Sequence, residues 1–159
     1  LERNGDVVHM TSYAPLLAKE KHTQWSPDLI YFNNREVKPT TGYYVQKLYG
    51  QNAGSHYIPS QIILDNQDNR VKLRIGSSIV RDSKTGDVIV KLVNLLPVSV
   101  ETEIQLPGIG SVQPSAVRTV LAGAPESTPL PVTDTIEVGA NFKQQLPAYS
   151  FTVIRLKTK

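Results

Sequence analysis

The sequence predicts a mainly β fold: a C-terminal β-sandwich, jelly-roll-like, preceded by a short helix–strand–helix segment. Three observations predict it. From Tyr57 onward, β-branched residues alternate with polar ones and are broken by Gly and Pro punctuation. About eight such stretches follow at spacings of roughly 10 to 14 residues, the rhythm of a sandwich or jelly roll. The first part differs in composition, holding five of the seven Tyr, the only Trp and the only Met. We therefore divide the chain into 1–54 and 55–159.

In the opening part, Asp6 to Ala18 carries Val7, Met10, Ala14 and Leu17 at helical spacing, with Asp6 as a first-turn acid and Pro15 as a kink or stop. Leu29-Ile30-Tyr31-Phe32 is a continuous apolar run between Pro27 and Asn33-Asn34, which reads as a strand buried on both faces. Thr41 to Tyr49 reads as a second helix. Thr40 or Thr41 caps it, Val45, Leu48 and Tyr49 share a face, and Gly50 stops it. Three elements this short cannot cover Leu16, Leu17, Leu29, Ile30, Phe32, Val45 and Leu48 by themselves. The segment must dock on the sandwich or self-associate, most simply as a two-fold homo-oligomer.

In the body, Val71, Leu73 and Ile75 alternate with Lys72 and Arg74, and Val88, Val90 and Leu92 face one way after a turn over Asp82 to Gly86. Val98, Val100, Thr102, Ile104 and Leu106 alternate with Ser99, Glu101, Glu103 and Gln105 before the Pro107-Gly108 turn. Further strands fall at Ala116–Leu121, Thr135–Val138 and Tyr149–Lys157, and Ala124 to Pro131 is a Pro-rich loop. The inward set includes Val98, Val100, Ile104, Leu106, Phe151 and Val153.

The chain has 159 residues, enough to bury a core without staples. A net charge of +3 with no basic run argues against nucleic acid as a partner, and apolar runs this short exclude a membrane-spanning helix. The absence of Cys removes disulfides, thiolate nucleophiles and Cys-ligated zinc. The start, Leu1-Glu2-Arg3-Asn4-Gly5-Asp6, lacks Met and any signal-peptide pattern, and reads as a cut inside a longer protein.

No complete catalytic set is legible. Glu101 and Glu103 share a strand face, but it is the polar face of a strand whose other side is apolar, hence a solvated surface. Asp65-Asn66-Gln67-Asp68-Asn69 lacks the Gly and the closing acid of a calcium loop and reads as an Asx-rich turn. His9, His22 and His56 are not spaced as metal ligands, and neither a nucleophile elbow nor a phosphate or dinucleotide loop occurs. Neither a metal nor a cofactor is expected. The enriched feature is an aromatic-polar cluster: His22, Gln24, Trp25, Asp28, Tyr31, Asn33 and Asn34. Such residues line sugar sites, where a Trp stacks on the ring and amides or acids bind hydroxyls. They equally suit a Trp packed at a domain junction with Asp28 capping the turn after Pro27, and the pattern by itself favours that second reading.

Ser12-Tyr13-Ala14-Pro15-Leu16-Leu17-Ala18, then His22-Thr23-Gln24-Trp25-Ser26-Pro27-Asp28-Leu29-Ile30, then Tyr43-Tyr44-Val45-Gln46-Lys47-Leu48-Tyr49 resemble the end of α-L-arabinofuranosidases of glycoside hydrolase family 51. Leu146 to Leu156 resembles the last strand of their C-terminal β-domain. The resemblance implies that 1–54 is the last helix–strand–helix of a (β/α)₈ catalytic barrel and 55–159 the sandwich packed on it. It implies a retaining hydrolase that releases terminal arabinofuranosyl residues from arabinan or hemicellulose. Its two catalytic Glu residues, each in an Asn-Glu pair, would lie upstream. No Asn precedes any Glu of this chain, so no catalytic residue is carried over and the fragment alone is expected to be inactive. Trp25, Asp28 and Gln24 carry over as substrate-binding positions on the pocket rim, with Asn33 and Asn34 weaker. The implied partners are an arabinose-containing oligo- or polysaccharide and the upstream barrel, and such substrates favour an extracellular or periplasmic setting. Two rival readings are an independent carbohydrate-binding module and a structural or oligomerisation sandwich. The first is disfavoured because the aromatics cluster in the helical part and not along a sandwich face.

Overall fold

The computed structural model describes residues 1–158. A 3₁₀ turn at Glu2–Asn4 leads into an extended stretch and then β1 (Leu17–Lys19), β2 (Ile30–Phe32) and β3 (Val37–Pro39). These form a small sheet with β2 in the middle, parallel to β1 and antiparallel to β3. The helix α1 (Thr41–Gln51) follows directly. Its N-cap is Thr40, whose hydroxyl accepts from the Tyr43 N–H (3.4 Å) while donating to the Leu29 carbonyl (2.8 Å). One side chain thus satisfies an orphan helix donor and ties the helix start to the residue that leads into β2.

The remaining elements are β4 (His56–Ile58), the single-turn α2 (Asn69–Lys72), β5 (Ile75–Arg81), β6 (Val88–Asn94), β7 (Val100–Gln105), β8 (Val112–Ala122), β9 (Val132–Glu137), β10 (Asn141–Leu146) and β11 (Ser150–Thr158). Six strands make one antiparallel sheet in the order β4-β5-β6-β11-β8-β9, and β7 with β10 makes a second, two-stranded sheet. The expected mainly β architecture, with eight strands in the body, is what the chain adopts.

Period-two alternation sorts the central strands onto two cores. Val88, Val90 and Leu92 of β6, with Ile154 and Leu156 of β11, face the two-stranded β7–β10 sheet and pack with Ile104, Leu106 and Leu146. Ile89 of β6 and Phe151 and Val153 of β11 face the other way. There α1 covers them with Tyr44, Val45, Leu48 and Tyr49. The large sheet is therefore buried on both faces at its middle, which explains why β6 and β11 are apolar almost throughout. Burying a side chain such as Leu48 in that second core contributes about 1.5–3 kcal/mol. The docking of α1 is the outcome that the shortage of cover in the opening segment requires.

Five readings need correction. Asp6 to Ala18 is not a helix: its end is β1, and the Pro15 and Leu16 carbonyls accept from the Leu29 and Ile30 N–H groups. Pro15 cannot donate within a helix, and pairing with β2 gives those carbonyls better partners. Leu29 is buried, but Ile30, Tyr31 and Phe32 are only half-buried, so β2 is not covered on both faces. Residues 69–72 form α2 where a strand was expected, because the Asp68 carboxylate accepts from the Arg70 N–H at 2.8 Å and nucleates a turn. Val98 is 57% exposed, since β7 starts only at Val100, while Ile104 and Leu106 are buried as expected. In α1, Gly50 does not stop the helix, which ends one residue later on Asn52, whose amide donates to the Leu48 carbonyl.

Candidate functional site

The connection from β1 to β2, residues 20–29, carries His22, Gln24, Trp25 and Asp28 of the aromatic-polar cluster. Its shape is set by Thr23. The Thr23 hydroxyl accepts from the Trp25 N–H at 3.1 Å and lies 3.2 Å from both the Trp25 carbonyl and Asp28 Oδ2. Asp28 is buried at 1% exposure, and its backbone N–H donates to the Tyr31 hydroxyl at 2.9 Å. These bonds close a tight loop whose buried end is Asp28 and whose outer end is Trp25. Trp25 itself is 68% exposed. The loop's hydrogen bonds fix the Trp25 backbone and leave a large indole clear of the core, with a face open for stacking. Gln24, beside it, is also exposed. The structure thus brings Gln24, Trp25 and Asp28 into one loop but divides them, with two outside and the carboxylate inside.

Asn33 and Asn34 lie at the other end of β2. Asn33 caps the β2–β3 turn, its Oδ1 accepting from the Arg35 and Glu36 N–H groups (2.9 and 3.0 Å). Its Nδ2 donates to Glu20 Oε2 (2.7 Å) and Glu36 Oε1 (3.3 Å). Lys38 completes the cluster with Nζ 2.8 Å from Glu20 and 3.1 Å from Glu36. Hydrogen bonds from Lys38 first, and from Asn33 second, hold both carboxyls below their ordinary range, and the bond to Glu20 leads in raising the Lys38 ammonium. Beside the network lies a shallow hollow of about 400 Å³, lined by Leu17, Phe32, Asn34, Arg35 and Val37 among others. Glu20 and Lys38 were not singled out by their sequence. They come from different segments 18 residues apart, and no local spacing announces them.

The other acidic candidates are structural. Glu101 pairs with Lys143 across the small sheet at 2.9 Å, and Glu103 accepts from Gln105. Asp68 caps α2 and Asn66 Oδ1 accepts from the Asp68 N–H. Among the described residues no three His, Asp or Glu side chains gather as a metal site. No described helix is long and apolar enough to cross a membrane.

The chain is a β body of two packed sheets, with a helix on the far face of the larger sheet and an exposed aromatic loop before it. The comparisons make this specific. The family described as the α-L-arabinofuranosidase C-terminal domain matches residues 1–150, and the chain belongs to that family. A probable α-L-arabinofuranosidase A of Aspergillus terreus is 33% identical over 165 residues, covering 97% of this chain and 24% of the relative. An extracellular exo-α-L-arabinofuranosidase of Streptomyces chartreusis is 54% identical over 61 residues, 38% of this chain and 7% of the relative. Among solved structures, the arabinose-bound MgGH51 α-L-arabinofuranosidase superposes with a TM-score of 0.85 at 33% identity, over 99% of this chain and 25% of its own. The Thermotoga maritima enzyme shares the fold at 14% identity, with a TM-score of 0.77. The chain therefore spans a quarter or less of the curated relatives named here.

Proposed function

We propose that this chain is the C-terminal, non-catalytic portion of a retaining α-L-arabinofuranosidase that releases arabinofuranosyl residues from plant polysaccharides. In this reading 55–159 is the sandwich domain, and 1–54 closes the catalytic barrel and carries part of the pocket rim. The observation that carries it is the family match over residues 1–150 coinciding with an exposed Trp25. Support also comes from the small sheet. β2 is bonded on both sides, whereas β1 is paired on one side only, which leaves β1 the edge at which a parallel barrel would continue.

On this reading the two carboxylates that split the glycosidic step lie upstream, consistent with the lack of an Asn-Glu pair here. Trp25 supplies a stacking face, Gln24 a hydrogen bond to a sugar hydroxyl, and Asp28, acting through Thr23, holds the Trp25 backbone in place. Binding energy from such a rim, realised away from the reacting bond, appears mainly in KM.

The test uses nitrophenyl arabinofuranoside and an arabinan oligosaccharide. The 159-residue chain by itself should show no turnover, and the longer protein containing it should. Within the longer protein, Trp25→Ala should raise KM for the oligosaccharide about tenfold with kcat little changed. Turnover by the purified 159-residue chain, surviving repurification, would sink the non-catalytic reading. An unchanged KM in Trp25→Ala would sink the rim assignment alone.

A further inference from the structure

The second core contains a lysine. Lys91 sits in the middle of β6, between Ile89 and Val93, and its side chain is 0% exposed. Its one ion-pair partner among the described residues is Glu2 of the N-terminal turn, with Nζ 2.6 Å from Oε1. The second Glu2 oxygen accepts from the Ser78 hydroxyl at 2.6 Å, and Ser78 lies directly opposite Lys91 on β5. The ammonium also stands 5.5 Å from the centre of the Tyr49 ring, on the last turn of α1. Next to Glu2, Arg3 donates to the Tyr57 hydroxyl on β4 at 3.3 Å.

Two ends of one segment therefore meet on one buried charge. Glu2 opens the segment that ends in α1, and Tyr49 lies two residues from the end of α1. Everything between them, including the Trp25 loop, is a closed excursion from Lys91. Burial pulls the Lys91 pKa down, and the Glu2 bond opposes this. The other charged side chain on this face of the neighbouring strand β11, Arg155, cannot compensate an amine and is itself engaged with Asp87 at 3.0 Å. Glu2 is accordingly the group that makes a charged Lys91 tolerable, since a buried charge stripped of its partner costs more than the pair contributes.

We propose that Lys91 is the clasp of the 1–51 segment: its ion pair with Glu2 latches the incoming chain onto the sheet beside α1, closing the segment into a loop of fixed position. The clasp is a conformational device, and it stands on this geometry independently of the carbohydrate reading. It makes a prediction that packing alone does not. Removing only the carboxylate should be worse than removing both charges.

Glu2→Gln, Lys91→Met and the double variant, made in the 159-residue chain, test this by urea unfolding and residue-resolved amide exchange. In Glu2→Gln the hydrogen-bonded amides of residues 2–8, those of Asn4, Val7 and Val8, should exchange at least about tenfold faster, with β8 and β9 unchanged, and the urea midpoint should fall. Adding Lys91→Met should recover the midpoint while leaving residues 2–8 fast. If Glu2→Gln does not fold, a folded double variant supports the clasp and an unfolded one overturns it. Unchanged exchange at residues 2–8 in Glu2→Gln, or a double variant no more stable than Glu2→Gln, also overturns it.

Discussion

The ring of Tyr49 lies flat on the ring of Phe151, with centroids 4.8 Å apart and planes within 9°. Phe151 is on the central strand β11 and Tyr49 on α1, so this pair is the seam between the opening segment and the sheet. Burial first, and the nearby Glu2 carboxylate second, push the Tyr49 phenol upward, which keeps it neutral in the seam. Replacing Tyr49 with Leu keeps apolar bulk but loses the face-to-face contact. We expect a loss of about 0.5–1.5 kcal/mol in urea unfolding. Val117→Ala, on the exposed side of β8, should stay within about 0.5 kcal/mol of wild type. Equal midpoints for the two variants would remove the seam from the account.

Two glycines should respond with opposite sign. A Cβ at Gly54 would stand 2.6 Å from Val80 Cβ and 2.8 Å from the Arg81 carbonyl, both on β5 beside the turn into β4. Gly54→Ala is expected to cost about 1–3 kcal/mol, because neither the backbone nor a buried Val can give way. Gly50 lies inside α1 with nothing within 4 Å of the added atom. Gly50→Ala should stabilise by about 0.5–1 kcal/mol through the helical propensity difference. Thermal unfolding of the two single variants reads both signs.

Thr40→Ala should cost about 0.5–2 kcal/mol, the usual range for losing an N-cap, and Thr40→Ser should restore most of it. The same hydroxyl holds the Leu29 carbonyl, so amide exchange at Thr40 and Tyr43 should quicken together. Faster exchange at Tyr43 alone would show that the link to β2 contributes nothing.

The Glu20–Lys38–Glu36 cluster sets a pH dependence with a definite sign. Both carboxyls titrate below their ordinary 4.5 in the folded chain, so their contribution is complete above that value and is lost as pH falls through the lowered values. Lys38→Met should move both midpoints back towards 4.5 by carboxyl NMR, incompletely because Asn33 still donates to both Glu20 and Glu36. Midpoints that do not move would mean that Lys38 is not the leading cause.

The sequence by itself determined the β class, an approximate number of strands in the body, and α1 with a threonine at its start, since alternation and capping are local. That Thr40 and not Thr41 is the cap, and that 141–146 is a strand, came from the structure. It also placed Gln24, Trp25 and Asp28 in one segment, though not the division that leaves Trp25 outside and buries Asp28. Tertiary structure decided what local pattern could not. Residues 6–16 give up a helical stripe because the carbonyls of Pro15 and Leu16 find partners on the β2 side, 14 residues on. Asn94, an unremarkable Asn at a strand end, is wholly buried because its Nδ2 reaches the carbonyls of Val98 (2.9 Å) and Pro147 (2.8 Å), the second 53 residues away. Lys91 reads as the polar break in an apolar strand and becomes the charge at the centre of a core only because Glu2 arrives from 89 residues away. Local propensities are worth tenths of a kcal/mol per residue, whereas a buried polar group left without its partner costs about 1–3 kcal/mol, so distant partners decide these positions.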